Sequence, residues 1–193
     1  NILNLKNNNR NIFKMYLPVK EDIFFKKSKI FLNRFIKLHQ KNSKFQNIIL
    51  DQSVNILNYQ NIFSFFDDVK IIIVTRDPRG VFNSMKTRQS AAVPGHDLKT
   101  FCKWYEIVMK KHENYKKKID KRYNKSIYEV KFEDFVRNFD REQKKLLKFV
   151  NTKKTSNRFD VNKSKYNAFK AKEELSGLEK NFIKKRLRKY LQW

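Results

Sequence analysis

The chain has 193 residues, a net charge of +26 and 18 phenylalanines, the length of one domain or most of one with enough apolar mass for a core. Its single cysteine, Cys102, excludes a disulfide framework and any cysteine-built metal site, and its three histidines (His39, His96, His112) show no ligand spacing. No run of ~20 apolar residues spans a membrane, while the positive charge, spread along the chain rather than clustered, attracts polyanions such as nucleic acid, anionic glycans or nucleotides.

Residues 1–20 are rich in Asn and Lys and read as irregular structure. In residues 21–41, Ile23, Phe24, Phe25, Ile30, Phe31, Phe35, Ile36 and Leu38 recur at helical spacing, which predicts one or two amphipathic helices. Residues 45–50 read as a short buried strand, followed by the polar triplet Asp51-Gln52-Ser53 and a helix over residues 55–66. Strand, polar turn, helix and a second strand form a βαβ unit with parallel pairing.

That second strand runs from Ile71 to Val74, β-branched throughout, as a strand covered on both faces should be. It ends in Arg76-Asp77-Pro78-Arg79-Gly80-Val81 and leads into a helix that carries Ser84, eight residues after Arg76. Pro78 suits a turn or a first helical position, and Gly80 leaves the backbone open to close approach. Two readings stand side by side here. A guanidinium and a hydroxyl converging at a strand-to-helix junction make a phosphate site, since arginine forks onto phosphate oxygens and a helix start adds N–H donors. Alternatively, the segment is a surface turn tied by an Arg–Asp pair.

The helix is expected to end near Thr87, with a mobile loop up to Pro94-Gly95. His96, beside that turn, is a candidate for acid–base chemistry. Residues 100–118 form a helix with the stripe Phe101, Trp104, Tyr105, Val108 and Met109, capped by Asp97 or Thr100 and ending in a basic, solvated run. Cys102 falls in that stripe as a buried small apolar residue. Residues 126–132 alternate like a strand with one face less buried, and Asp140 is placed as the cap of a helix bearing Leu146, Leu147 and Val150. Residues 153–165 read as a polar loop. Leu175, Leu178, Phe182, Ile183, Leu187, Tyr190 and Leu191 then give a final helical stripe.

Two of these segments resemble signatures of the sulfotransferase family, whose members move a sulfonate group from PAPS (3′-phosphoadenosine 5′-phosphosulfate). Arg76, Asp77, Pro78, Arg79, Val81 and Ser84 match the 3′-phosphate motif, with Gly80 in place of the usual Asp. Phe132-Glu133-Asp134-Phe135-Val136 and Leu146-Leu147-Lys148-Phe149-Val150 match the second signature. The resemblance implies an α/β fold of the P-loop NTPase type, a three-layer parallel sheet flanked by helices, in one domain over residues 1–193. It implies that Arg76 and Ser84 hold the 3′-phosphate and that Phe132 lies near the adenine, although Phe132 reads equally well as ordinary core. More loosely, it places Lys170 toward the nucleotide and Trp193 near the chain end. It puts Asp51 close to the transferred sulfonate, so that Asp51 or His96 is the candidate base; Gln52 stands where many members carry Lys.

The three glycines, Gly80, Gly95 and Gly177, do not build the family's 5′-phosphosulfate loop. The expectation is therefore a sulfotransferase domain incomplete at its N-terminus, whose targeting segment could lie upstream of Asn1. It would use PAPS as co-substrate, no metal, and a hydroxyl-bearing acceptor that is anionic or a carbohydrate. The alternative is a basic nucleic-acid-binding protein without activity; against it, no nucleic-acid motif appears and the basic residues form no single stripe.

Overall fold

The computed structural model describes residues 20–41, 49, 59–88, 94–95, 97–119, 121–153 and 159–193. They fall into two units. The first holds one helix, α1 (Glu21–Lys41), and a short helix, α2 (Ile62–Phe65). The Phe25 and Phe65 rings lie 5.1 Å apart between them, Asn33 Nδ2 donates to the Phe65 carbonyl at 3.2 Å, and Lys29 pairs with Asp67 at 2.6 Å. The apolar spacing thus gives a single helix, and Phe31, Phe35 and Leu38 stand on its exposed side. Of the strand expected over residues 45–50, only Ile49 is described, and it carries no strand.

The second unit is helix-rich around a small parallel sheet of two strands, β1 (Ile71–Thr75) and β2 (Ile127–Lys131). Ile71 pairs with Ile127 and Thr75 with Lys131. One face presents Ile71, Ile73 and Glu129, since side chains alternate along a strand. Helix α4 (Leu98–Lys118) lies on this face, where His112 Nε2 stands 3.4 Å from Glu129 Oε1 and Lys116 pairs with the same carboxylate. On the other face, Phe149 of α6 (Phe139–Val150) packs on Tyr128, ring centres 5.3 Å apart. Helix α6 covers only the β2 half. Ile72 and Val74 remain 43% and 57% exposed, so β1 is covered on one face among the described residues, not on both as its β-branched run predicts.

The core joins α3 (Pro78–Arg88), α4, α8 (Ala171–Glu174) and α9 (Gly177–Leu187) through Phe82, Phe101, Cys102, Tyr105, Ala171, Leu175, Ile183 and Leu187. Cys102 is buried as expected, and burial pushes its thiol up to about 11. Asp97 caps α4, accepting from the Thr100 N–H at 2.7 Å.

Three expectations are corrected. Helix α6 starts at Phe139 with Asn138 in the cap position, so Asp140 lies inside the first turn, where its charge meets the helix dipole. The polar stretch before residue 165 is not all loop: Asp160 accepts from the Lys163 N–H at 2.9 Å and starts helix α7 (Val161–Phe169). Leu178 is 85% exposed, because it lies about two and a half turns before Leu187 and so on the opposite side of α9.

Candidate active site

The turn between β1 and α3 is built around Asp77, which is fully buried. A buried carboxylate needs donors. Asp77 Oδ1 accepts from the backbone N–H and the Nε of Arg79, both at 2.9 Å, and Oδ2 accepts from Arg79 Nη2 at 2.8 Å and the Gln192 N–H at 2.7 Å. The Asp77 N–H donates to Glu133 Oε1 at 3.1 Å, at the start of helix α5 (Phe132–Arg137). The Arg–Asp pair of the turn therefore exists, but it is buried rather than superficial, and its arginine is Arg79.

Arg76 points elsewhere. Its backbone carbonyl accepts from the Tyr105 hydroxyl at 2.7 Å, and its Nη2 donates to the Asn167 carbonyl at 2.5 Å. Its guanidinium carbon stands 5.3 Å from the centre of the Phe132 ring. A Cβ built on Gly80 would come within 2.9 Å of Arg76 Nε, so the guanidinium lies directly on the first turn of α3. Ser84, half-buried, is four residues beyond Gly80, one turn further along the same helix face. The segments 76–84 and 132–133, far apart in sequence, meet here through two contacts: Arg76 with Phe132, and Asp77 with Glu133.

The electrostatics follow from this packing. Burial raises the Glu133 carboxyl above the ordinary glutamate range, and the neighbouring Asp77 adds to the rise. Burial likewise raises the Tyr105 phenol, with Asp77 and Glu133 adding to it. Both hold the turn: Glu133 accepts the Asp77 N–H and the Tyr105 hydroxyl donates to the Arg76 carbonyl.

A family model described as the sulfotransferase family matches residues 11–156, three quarters of the chain and both signature segments. The chain belongs to the sulfotransferase family. Its members transfer sulfonate to an acceptor. No curated protein and no solved structure gives a significant match.

In this sulfotransferase the structure brings Arg76 and Phe132 together and sets Ser84 on the helix that carries Gly80. Lys170 follows α7, three residues after Asn167, and its Nζ lies 3.6 Å from Glu174. Asp51 and His96 lie outside the described residues. Among the described residues no helix is long and apolar enough to cross a membrane, and no cluster of His, Cys, Asp or Glu could hold a metal ion. Sequence reasoning missed the buried network of Asp77, Arg79, Glu133 and Tyr105. Its one available signal was that Asp77 and Glu133 both fall inside the two signatures.

Proposed function

We propose that the chain is a PAPS-dependent sulfotransferase whose 3′-phosphate is held by Arg76 and Ser84. The observation that carries this reading is the placement of the Arg76 guanidinium across Gly80 at the start of α3 and beside Phe132. The guanidinium, whose Nη2 also donates to the Asn167 carbonyl, brings positive charge to a helix N-terminus, where charge-assisted hydrogen bonds and the helix dipole act on a phosphate dianion in the same direction. Gly80, which stands where the motif usually has Asp, leaves room for the guanidinium in the position it takes here, where a Cβ would come within 2.9 Å of Arg76 Nε. Phe132 offers a ring for the adenine, and stacking of a base on an aromatic contributes roughly 1–3 kcal/mol. Lys170, three residues after the Asn167 whose carbonyl Arg76 contacts, is a further cation of the reading, paired at 3.6 Å with Glu174.

On this reading, PAPS supplies the sulfonate group when bound, and the acceptor is a hydroxyl compound, anionic or carbohydrate, drawn by the basic surface. Asp51 or His96 takes the acceptor proton. The two-stranded sheet is then part of the larger three-layer parallel sheet of the P-loop type.

The test uses PAP, the product nucleotide. At about 100 times its dissociation constant, a ligand that binds only the folded state stabilises it by about 2.7 kcal/mol. PAP should therefore raise the melting temperature by several degrees, and Arg76→Ala should abolish the rise. A wild-type melting temperature indifferent to PAP would overturn the reading.

A further inference from the structure

We infer that Gln192 and Trp193 form a strap that positions the nucleotide-binding turn, which rests on the proposed PAPS site and adds residues to it. Both lie beyond the residues matched by the family model. The Gln192 N–H reaches Asp77 Oδ2 at 2.7 Å from 115 residues away in sequence. The Trp193 carbonyl accepts from Arg79 Nη2, and the Trp193 ring centre lies 3.5 Å from the Arg79 guanidinium carbon. Gln192 Nε2 approaches Thr75 Oγ1 at 3.5 Å. The strap thus engages the residue before Arg76 and the two charged residues that follow it.

These contacts complete what the turn cannot supply for itself. Asp77 Oδ1 is satisfied within the turn by Arg79 alone, whereas Oδ2 takes its second donor from Gln192. The guanidinium of Arg79 is covered by the indole, which holds it over the buried carboxylate. Trp193 Nε1 and Gln192 Oε1 are buried and make no hydrogen bond among the described residues. Backbone contacts and the ring on Arg79, rather than side-chain polarity, therefore fix the strap. Arg76 shares its backbone with Thr75 and Asp77, so the strap orients Arg76 through the turn. Gln192 and Trp193 are positioning residues.

The test uses three variants of the full chain. Trp193→Ala removes the ring, Trp193→Phe keeps an aromatic, and Gln192→Pro removes the N–H; the extended backbone of Leu191 (φ −67°, ψ 143°) accepts a following proline. Amide hydrogen exchange at Arg79 and Val81 is compared with Ile73 at the centre of β1, and PAP affinity is measured by calorimetry well below the melting temperature. Trp193→Ala and Gln192→Pro should each speed exchange at Arg79 and Val81 about tenfold, leave Ile73 unchanged and weaken PAP about tenfold, with Trp193→Phe restoring both. Unchanged exchange at Arg79 and Val81, or unchanged PAP affinity where the wild type binds, overturns the strap. If Trp193→Ala does not fold, Gln192→Pro decides. Failure of the wild type to bind PAP rejects the proposed function alone, and the exchange rates then decide whether the strap exists.

Discussion

Gly80 separates stability from ligand binding at a single atom. A Cβ there would meet the Arg76 side chain at 2.9 Å, and that side chain is long enough to swing away while the backbone stays put. Within a helix, alanine is also favoured over glycine by up to about 1 kcal/mol. A displaced guanidinium gives up its bond to the Asn167 carbonyl and its contact with Phe132, which offsets that gain, so Gly80→Ala should change the melting temperature little. The same change displaces the guanidinium and should weaken PAP about tenfold, the loss expected when a charge-assisted contact is misplaced. Calorimetric melting and titration of one preparation check both halves. Intact PAP affinity would remove Gly80 from the site. The strand-to-helix junction that carries Arg76 and Gly80 was legible in the sequence, because a β-branched run followed by a proline marks it. The partner of Asp77 was not, since Arg76 and Arg79 both lie within reach along the chain and only packing decides between them.

Among the elements, the junction of α4 and β2 carries a pH dependence. His112 is only 2% exposed and stands against Glu129, with the Tyr59 ring 5.9 Å away. The hydrogen bond with His112, followed by Lys116, holds the Glu129 carboxyl down to about 2 from the ordinary value of 4.5. A depressed folded-state value stabilises the protein above the unfolded value and loses that contribution as pH falls through the folded one. The melting temperature of the wild type should accordingly drop between about pH 4.5 and 2, and Glu129→Gln should flatten that segment of the curve. Equal slopes in the two proteins would show that this carboxylate does not contribute. Sequence periodicity places α4, β1 and β2 correctly. It cannot reveal His112, which sits in a lysine-rich run that reads as solvated until β2 brings Glu129 against it. Helix α7 escaped notice for a related reason: its signal is the cap Asp160 and one fully buried alanine, Ala168, rather than an apolar stripe.

For the whole molecule, 45 basic residues against 19 acidic ones give a field that acts on any polyanion. Such binding is diffuse, whereas the proposed nucleotide site depends on one guanidinium. Duplex DNA should bind with an affinity that falls steeply with salt, by about 10³–10⁵ between 50 and 200 mM if six to ten phosphates are engaged. Arg76→Ala should leave that DNA titration unchanged while removing the response to PAP. A parallel loss of both would mean that Arg76 serves a general anion surface. The charge was legible from composition alone. The size of the sheet was not, because the β-branched run of β1 states a preference for burial without saying how many strands provide it.

The ladder from Ile71 to Thr75 finds its partner only after the chain has passed through α3 and α4. Closing so long a loop costs entropy before the first rung repays any of it, and two strands alone are barely stable in water. Among the described residues it is α4 that backs the pair, with His112 and Lys116 against Glu129 of β2. Arg76, at the tip of β1, is therefore held by partners that long-range pairing brings in: its carbonyl accepts from the Tyr105 hydroxyl of α4, and its guanidinium stands against Phe132, the residue after β2.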